Sequence, residues 1–249
     1  MVETLPLIDQ RSAAFRAAIA AAPDLDAPVP SCPGWTLFEL AQHLGQGQRR
    51  WAGIIAAGPA AEPPAEGAPE PAPREREELA GWLAAATRQL LHAVQVAGPD
   101  RGCWTWWDGS ESPLTAGAVA RHQLQEVAVH TYDAELALGA PRPLPGAVAL
   151  DGVDEFLATC CAGAYRWPYE PATIDYHAAE GPSWRLSLAA GGVRLTRFPG
   201  AAPDAADASV RGTAGELVLA LYNRITVDAL EVGGDRRLFD LLLEWDPDE

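Results

Sequence analysis

The spacing of apolar residues changes part-way along this chain, and that change limits the folds open to it. Up to about residue 140, apolar side chains recur with the period of amphipathic helices. Later, short runs such as TIDYHAA, WRLSLAA and VRLTRF show the alternation that is typical of strands. An all-helical part followed by strands mixed with helices predicts an α+β chain of two domains, 1–143 and 144–249, with the boundary near Arg142–Pro145.

The first domain is predicted to be a four-helix bundle. Its helices are expected over about Leu5–Ala22, Thr36–Ala57, Glu75–Ala97 and Ser112–Leu138. Thr36 and Glu39 form a T-x-x-E capping box at the start of the second helix. Ser112 and Pro113 suit the N-cap and the first position of the fourth.

The second domain is predicted to combine strands with helices. A helix is expected around Leu150–Ala164, and Gly191-Gly192 between two alternating runs indicates a hairpin. ASVRGT has the pattern of a further strand, and Thr213 with Glu216 forms a second capping box. Asp235 is expected to cap the final helix, RRLFDLLLEW.

The charge composition excludes several functions. The chain has 18 basic residues, all arginine, against 34 acidic ones, which gives a formal net charge of −16. Without lysine there is no Schiff base, no pyridoxal phosphate anchor and no Walker-type phosphate loop. The negative charge argues against nucleic acid or an anionic membrane as a partner. The N-terminal sequence has no signal-peptide pattern, and the four cysteines include no C-x-x-C pair, so we expect reduced thiols in a cytoplasmic protein.

The connection between the second and third helices is rich in proline, with six prolines between Pro59 and Pro73. Such density favours an extended, solvated segment without packed secondary structure. We interpret it as a loop insertion, with a functional lid as the less favoured alternative.

The fourth predicted helix carries a possible metal site. Glu126 and His130 are four residues apart and share one helical face, and His43 on the second helix can supply a third ligand. Two histidines and one carboxylate, with a fourth coordination position left open, form the ligand set of catalytic zinc sites. Iron, manganese or nickel could bind to the same ligands. A glutamate and a histidine at this spacing more often form a surface pair, or the histidine is buried with its hydrogen bonds satisfied by other groups. His122, four residues before Glu126, is a competing ligand expected on a less buried face.

Three segments resemble the mycothiol-dependent maleylpyruvate isomerase family. VPSCPGWTLFELAQHLG resembles its opening motif, EVAVHTYDAELALG its second motif, and the stretch from ASVRGTAGELVLALYNR to LFDLLLEW its small second domain. The resemblance implies a DinB-like four-helix bundle and a second domain similar to sterol-carrier proteins. It also implies a divalent metal, usually zinc, held by His43, Glu126 and His130.

The family motifs assign roles to two further residues. Asp133 falls on the aspartate of the second motif, where it either supports a ligand or has a structural part. Arg224, in YNR, lies where the family often has an arginine near the cleft, so it is our candidate for binding a substrate carboxylate. The alternative is that Arg224 only complements the C-terminus of its helix. YNR also departs from the more usual glycine–arginine ending.

The resemblance implies a metal-dependent, thiol-using isomerase or S-transferase acting on a small electrophilic or unsaturated acid. Mycothiol is the thiol, and its addition to a double bond gives a single bond that rotates before elimination returns the trans isomer. A thiol-independent metalloenzyme of tailoring or detoxification, and a non-enzymatic binding or resistance protein, are the alternatives, because one fold hosts many functions. A monomer or weak homodimer is expected.

The aromatic run CWTWWDG precedes the helix that carries Glu126. Trp104, Trp106 and Trp107 would either wall a cavity over the metal or pack between the domains. Trp35 is interpreted as a packing anchor and Cys32 as a small loop thiol.

Overall fold

The computed structural model describes residues 4–60, 62–65 and 70–245. The chain divides into two compact units. One comprises the residues up to Trp106 together with Leu114–Leu144, and the other comprises Trp107–Pro113 together with the residues from Pro145 onward. A single cut near Arg142–Pro145 therefore separates the units except for the short segment Trp107–Pro113.

The first unit is built from four long helices, so the α+β class with a helical first part is confirmed. They are α1 (Thr4–Ala21), α2 (Leu37–Ala57), α3 (Arg76–Ala97) and α4 (Ala116–Ala137). α1 and α2 each pack against α3 and α4. Their apolar faces meet in a core that includes Phe15, Leu40, Leu79 and Val127.

Local hydrogen bonds fix the start of α2 as the sequence predicts. Both bonds of the capping box between Thr36 and Glu39 are present, and Gly58 ends the helix with a φ of 79°. The predicted start of α4 at Ser112–Pro113 is wrong, because the hydroxyl of Thr115 accepts the backbone N–H of Ala118 at 3.3 Å. The helix therefore begins at Ala116.

The proline-rich connection has no helix or strand in its described residues, 58–60, 62–65 and 70–75. Part of it packs onto the helices, since Ala72 is buried and Glu70 pairs with Arg49 at 3.6 Å between Oε2 and Nε. Residue 61 and residues 66–69 of the predicted loop lie outside the described residues.

The second unit begins with α5 (Gly146–Phe156), which continues into a π-helical turn, Leu157–Cys161. The helix thus starts earlier than the predicted Leu150, directly after Pro145 in the N-cap position. Its predicted end at Ala164 is also wrong. The backbone N–H of Ala162 donates to the carbonyl of Leu157 at 2.8 Å, and the chain then turns to extended geometry.

A five-stranded sheet forms the centre of this unit, in the order β3-β2-β1-β4-β5. Its strands are β1 (Ala172–Ala178), β2 (Ser183–Ala189), β3 (Gly192–Phe198), β4 (Ala208–Gly212) and β5 (Glu231–Gly234). β1 and β4 run parallel and the other neighbours antiparallel. The predicted hairpin is confirmed, because Ala189 of β2 pairs with Gly192 of β3.

Two short helices complete the second unit, α6 (Ala214–Leu221) and α7 (Arg237–Glu244), with a 3-10 turn over Val227–Ala229. The capping box of Thr213 at the start of α6 is confirmed. The predicted cap of α7 is displaced by one residue. Arg236 holds the N-cap position, while Asp235 accepts the backbone N–H of Arg237 at 3.1 Å.

None of the helices in the described part of the chain combines the length and apolar character that crossing a bilayer requires.

Candidate metal centre

The packing of α2 against α4 brings the three predicted ligands together. Nε2 of His43 lies 3.6 Å from Oε2 of Glu126, and Nε2 of His130 lies 3.8 Å from the same oxygen. All three donor atoms lie within 4.8 Å of one another. The spacing of four residues along α4 puts Glu126 and His130 on one face, and His43 reaches that face from α2.

The three side chains range from exposed to buried. The side chain of His43 is 43% exposed, that of Glu126 is 25% exposed and that of His130 is 9% exposed. Burial opposes ionisation of Glu126, but the hydrogen bond with His43 and the neighbouring imidazoles of His130 and His122 outweigh it and lower its pKa to about 2. The carboxylate is therefore ionised at neutral pH and available as a metal ligand.

A buried carboxylate holds the His130 ring from behind. Oδ2 of Asp133 lies 2.8 Å from Nδ1 of His130, and the Asp133 side chain is fully buried. Asp133 also accepts a hydrogen bond from Oγ of Ser31 at 2.7 Å and a longer one from Sγ of Cys32 at 3.5 Å. With its proton on Nδ1, the imidazole presents the lone pair of Nε2 towards Glu126, which is the arrangement that orients zinc-bound histidines.

A second group of possible ligands shares one residue with the first. Cys32, His130 and Asp133 also have donor atoms close enough to hold an ion. In this group, however, Asp133 already accepts hydrogen bonds from Ser31 and His130, so an ion there would displace bonds that are formed. In the group of His43, Glu126 and His130, the contacts of Glu126 with the two imidazoles are longer, at 3.6 and 3.8 Å, than the hydrogen bonds that Asp133 accepts from Ser31 and His130.

The chemistry of the donor set fits a divalent ion. Two imidazole nitrogens and one carboxylate oxygen are the ligands of many catalytic zinc sites, which keep a further position open. Bonds of about 2.0–2.1 Å in a tetrahedron require donor atoms roughly 3.3–3.5 Å apart. The separations of 3.6 and 3.8 Å between Glu126 and the two histidines exceed that requirement by a few tenths of an ångström, and all three donor atoms lie within 4.8 Å of one another.

A cavity of about 450 Å³ opens beside His43 and Glu126 in the first unit. Three indoles line it: Trp51 and Trp104 are stacked, with ring centroids 6.2 Å apart, and Trp106 is 47% exposed. Aromatic side chains with a few polar groups are characteristic of small-molecule sites. Of the two alternatives given for the tryptophan run, the structure shows Trp104 and Trp106 lining this cavity.

Three neighbouring aromatic residues differ from what the sequence led us to expect. Trp107 does not line this cavity; it belongs to the second unit, fully buried, and its Nε1 donates to the carbonyl of Pro113 at 3.2 Å. His122 is buried rather than on a less buried face, because its imidazole meets Trp106 edge to face at 5.8 Å. Trp35 does more than anchor the helix entry, since its ring lies 4.8 Å from that of His43.

Arg50 also lines the cavity, although it was not among the residues predicted from the sequence. Arg50 and Trp51 follow His43 by seven and eight residues, so the period of α2 could have placed them near the ligand. Arg224, the predicted arginine, lies in the second unit just after α6. Its Nη1 donates to the carbonyl of Tyr222 at 2.7 Å. Its part in substrate binding stays a prediction.

Comparison with known protein families assigns the chain. The family profile described as the mycothiol maleylpyruvate isomerase N-terminal domain matches residues 5–135, more than half of the chain. The chain belongs to the mycothiol maleylpyruvate isomerase family. The profile of that family's C-terminal domain matches residues 147–241, so both units are covered in the expected order. The family resemblance drawn from the sequence motifs is thereby confirmed.

Solved structures of a family enzyme show the same fold. The crystal structure of the mycothiol-dependent maleylpyruvate isomerase is 16% identical in sequence, with a TM-score of 0.60 over 93% of this chain and 92% of that one. A histidine-to-alanine mutant of that enzyme is 15% identical, with a TM-score of 0.56 over the same shares. A comparison with curated proteins by sequence gave no match.

Proposed function

We propose that the chain is a metal-dependent enzyme that uses mycothiol to isomerise a small unsaturated acid. The observation that carries this proposal is the convergence of His43, Glu126 and His130 beside an aromatic cavity, in a chain of this family. We propose zinc as the metal, because two histidines and one carboxylate are the ligands of many catalytic zinc sites. Transfer of the thiol to an electrophile is the second reaction such a site supports.

The residues of the centre would prepare the thiol for reaction. A divalent ion held by His43, Glu126 and His130 would lower the pKa of a thiol bound to it, so that the thiol would be a thiolate at neutral pH. Glu126 would contribute the negative charge of the ligand set. Asp133 fixes the ring of His130, and Trp35 limits the rotation of His43, so the site is organised before substrate arrives.

The cavity would hold the acid substrate. The indoles of Trp51 and Trp104 offer flat apolar surfaces for a conjugated carbon chain, and Arg50 offers a cation for its carboxylate. The chain has no lysine, so every cationic contact other than a metal or a protonated histidine must come from arginine. We retain Arg224 as a second candidate for carboxylate binding. Mycothiol must stay reduced to react, so we propose a cytoplasmic setting.

Metal content tests the centre first. Purified parent protein is expected to contain about one divalent ion per chain, whereas His43→Ala and His130→Ala are expected to lose most of it. His92→Ala, in α3 and outside the proposed ligand set, is the matched control and should keep the parent's content. Equal metal content in all four proteins would refute the proposed ligand set.

Thiol binding separates the proposed enzyme from a thiol-independent one. Adding mycothiol to the cobalt-substituted protein is expected to change the cobalt absorption spectrum and release about one proton per site. No spectral change, together with turnover that does not need thiol, would favour a centre that activates water. Binding of cis-unsaturated acids without any turnover would favour a sequestering protein.

A further inference from the structure

The second unit contains a cavity of its own, apart from the metal centre in residues of the first unit. Its volume is about 540 Å³, and its walls come from the π-helical turn, α6, α7 and one face of the sheet. The apolar side chains that line it include those of Phe156, Leu221, Phe239, Leu242 and Trp245. Cavities of roughly 300–1,000 Å³ with such linings are the usual size for small-molecule sites.

The π-helical turn shapes one wall of this cavity. π-Helical turns are rare and occur frequently at functional sites, because the extra residue redirects side chains. Here the turn ends with the consecutive residues Cys160 and Cys161, and both line the cavity. Successive residues of a regular helix diverge by about 100° around the axis, so two neighbours rarely share one small wall.

The interior of the cavity is neutral. Burial raises the pKa of the Cys161 thiol to about 12, and it raises the pKa of the Tyr176 phenol well above its usual range. Both groups therefore stay uncharged at neutral pH. A ligand group that reaches them meets only weak hydrogen-bonding partners, which favours apolar atoms.

The charged groups on the wall leave no cation for an anionic ligand. They are Arg236, Asp228 and Asp240. Nε and Nη2 of Arg236 bind the two carboxylate oxygens of Asp228 at 2.7 and 2.8 Å, and Nη1 binds Asp240. One cation between two carboxylates leaves a net negative wall, which repels carboxylates and phosphates.

We propose that this cavity is a binding site for a neutral, largely apolar small molecule. Its apolar walls and its negative charged groups select against the acidic substrate and thiol proposed for the metal centre. The half-exposed and exposed leucines of α7, Leu242 and Leu243, lie at the cavity and would lose contact with water when such a molecule binds. The site is thus independent of the chemistry of His43, Glu126 and His130.

A neutral fluorescent probe tests the proposal on the full chain. N-phenyl-1-naphthylamine is expected to brighten and saturate at about one probe per chain, in the parent and equally in His43→Ala. Decanol should displace the probe, and decanoate should need at least a tenfold higher concentration, about the effect of one like-charge contact at the site. Absence of saturable binding, or equal displacement by decanol and decanoate, would overturn the proposal.

Two cavity-filling variants locate the probe. Ala220 lines the cavity from α6, so Ala220→Trp should weaken probe binding at least tenfold, roughly the effect of removing the space that the ring occupies. Ala17→Trp, the same substitution at an exposed position of α1, is the matched control and should bind as the parent does. If Ala220→Trp does not fold, as judged by circular dichroism, Cys160→Phe replaces it. Unchanged binding in the folded variant would refute the location.

Cys160 supplies a direct readout of occupancy. It is half-buried and lines the cavity, so N-ethylmaleimide should modify it slowly in the parent, and decanol should slow the reaction further. Peptide mass spectrometry separates Cys160 from Cys32, which lies in the first unit and should react at the same rate with or without decanol. Loss of protection at Cys160 while the probe still binds would also refute the location.

Discussion

Asp133→Asn tests whether the buried carboxylate supports the metal centre through His130. The substitution preserves shape but removes the charge that Nδ1 of His130 meets at 2.8 Å. An amide can also present its N–H₂ group to Nδ1, which would move the imidazole proton to Nε2 and block the lone pair that binds metal. Both effects should weaken metal binding by His130. Loss of the charge lowers the basicity of the imidazole, and movement of the proton to Nε2 blocks the nitrogen that would bind the metal.

The expected magnitude follows from that contact. Loss of a carboxylate partner behind a metal-bound histidine typically lowers metal affinity about 10–100-fold. That range corresponds to about 1.4–2.7 kcal/mol of binding free energy. The upper half of the range is expected here, because Asp133 is fully buried and water cannot replace the lost charge.

The assay is zinc binding by competition with a chromogenic chelator, with the melting temperature of the metal-free proteins measured alongside. Ser31→Ala is the control, because it removes another hydrogen bond to Asp133 while leaving the charge and the bond to His130. Its zinc affinity is expected within about threefold of the parent, since the Asp133 carboxylate and its contact with His130 both remain. Parental affinity in Asp133→Asn would refute the supporting role and leave Asp133 as a structural residue.

Further outcomes are expected for stability and for metal binding. Gly45→Ala should destabilise the first unit by about 1–3 kcal/mol in urea unfolding, because the new Cβ would lie 2.0 Å from the ring of Trp82. Gly53→Ala should instead stabilise α2 by about 0.5–1 kcal/mol, because a Cβ at that position meets nothing within 4 Å. Thr213→Ala should cost about 1 kcal/mol of unfolding free energy by removing the capping box of α6, and an unchanged urea midpoint would contradict this. Chelation should lower the melting temperature of the parent but not of His43→Ala, and zinc at 100 times its Kd should restore about 2.7 kcal/mol to the parent alone.

Local hydrogen bonding explains which parts of the fold the sequence predicts well. The capping boxes of Thr36 and Thr213 lie within four residues of their partners, so the pattern of residue types is enough to identify them. The same is true of the hairpin between β2 and β3. The predicted start of α4 was wrong because local residue types do not distinguish its two possible caps. Ser112 and Thr115 are both suitable, and only the path of the surrounding chain selects Thr115.

Contacts between distant segments were beyond the reach of these patterns. Ser31 binds Asp133 across 102 positions of the chain, and nothing in the composition of either segment indicates that pairing. The π-helical turn is equally unsignalled, since LATCC has the residues of an ordinary helix end. Both features depend on how helices and loops pack, and local propensity carries little information about packing.

The proposed ligands of α4 illustrate the same limit within one helix. His122, Glu126 and His130 follow one another at four-residue intervals on α4, so periodicity alone offers either histidine as the partner of Glu126. Packing breaks that equivalence. The ring of His43 comes within 5.2 Å of the ring of His130, and Asp133 holds the far side of the same ring, whereas His122 faces the indole of Trp106. A helix with three candidate ligands therefore acquires one converging donor set only when a second helix supplies the third side chain, and the register between α2 and α4 decides which set it is.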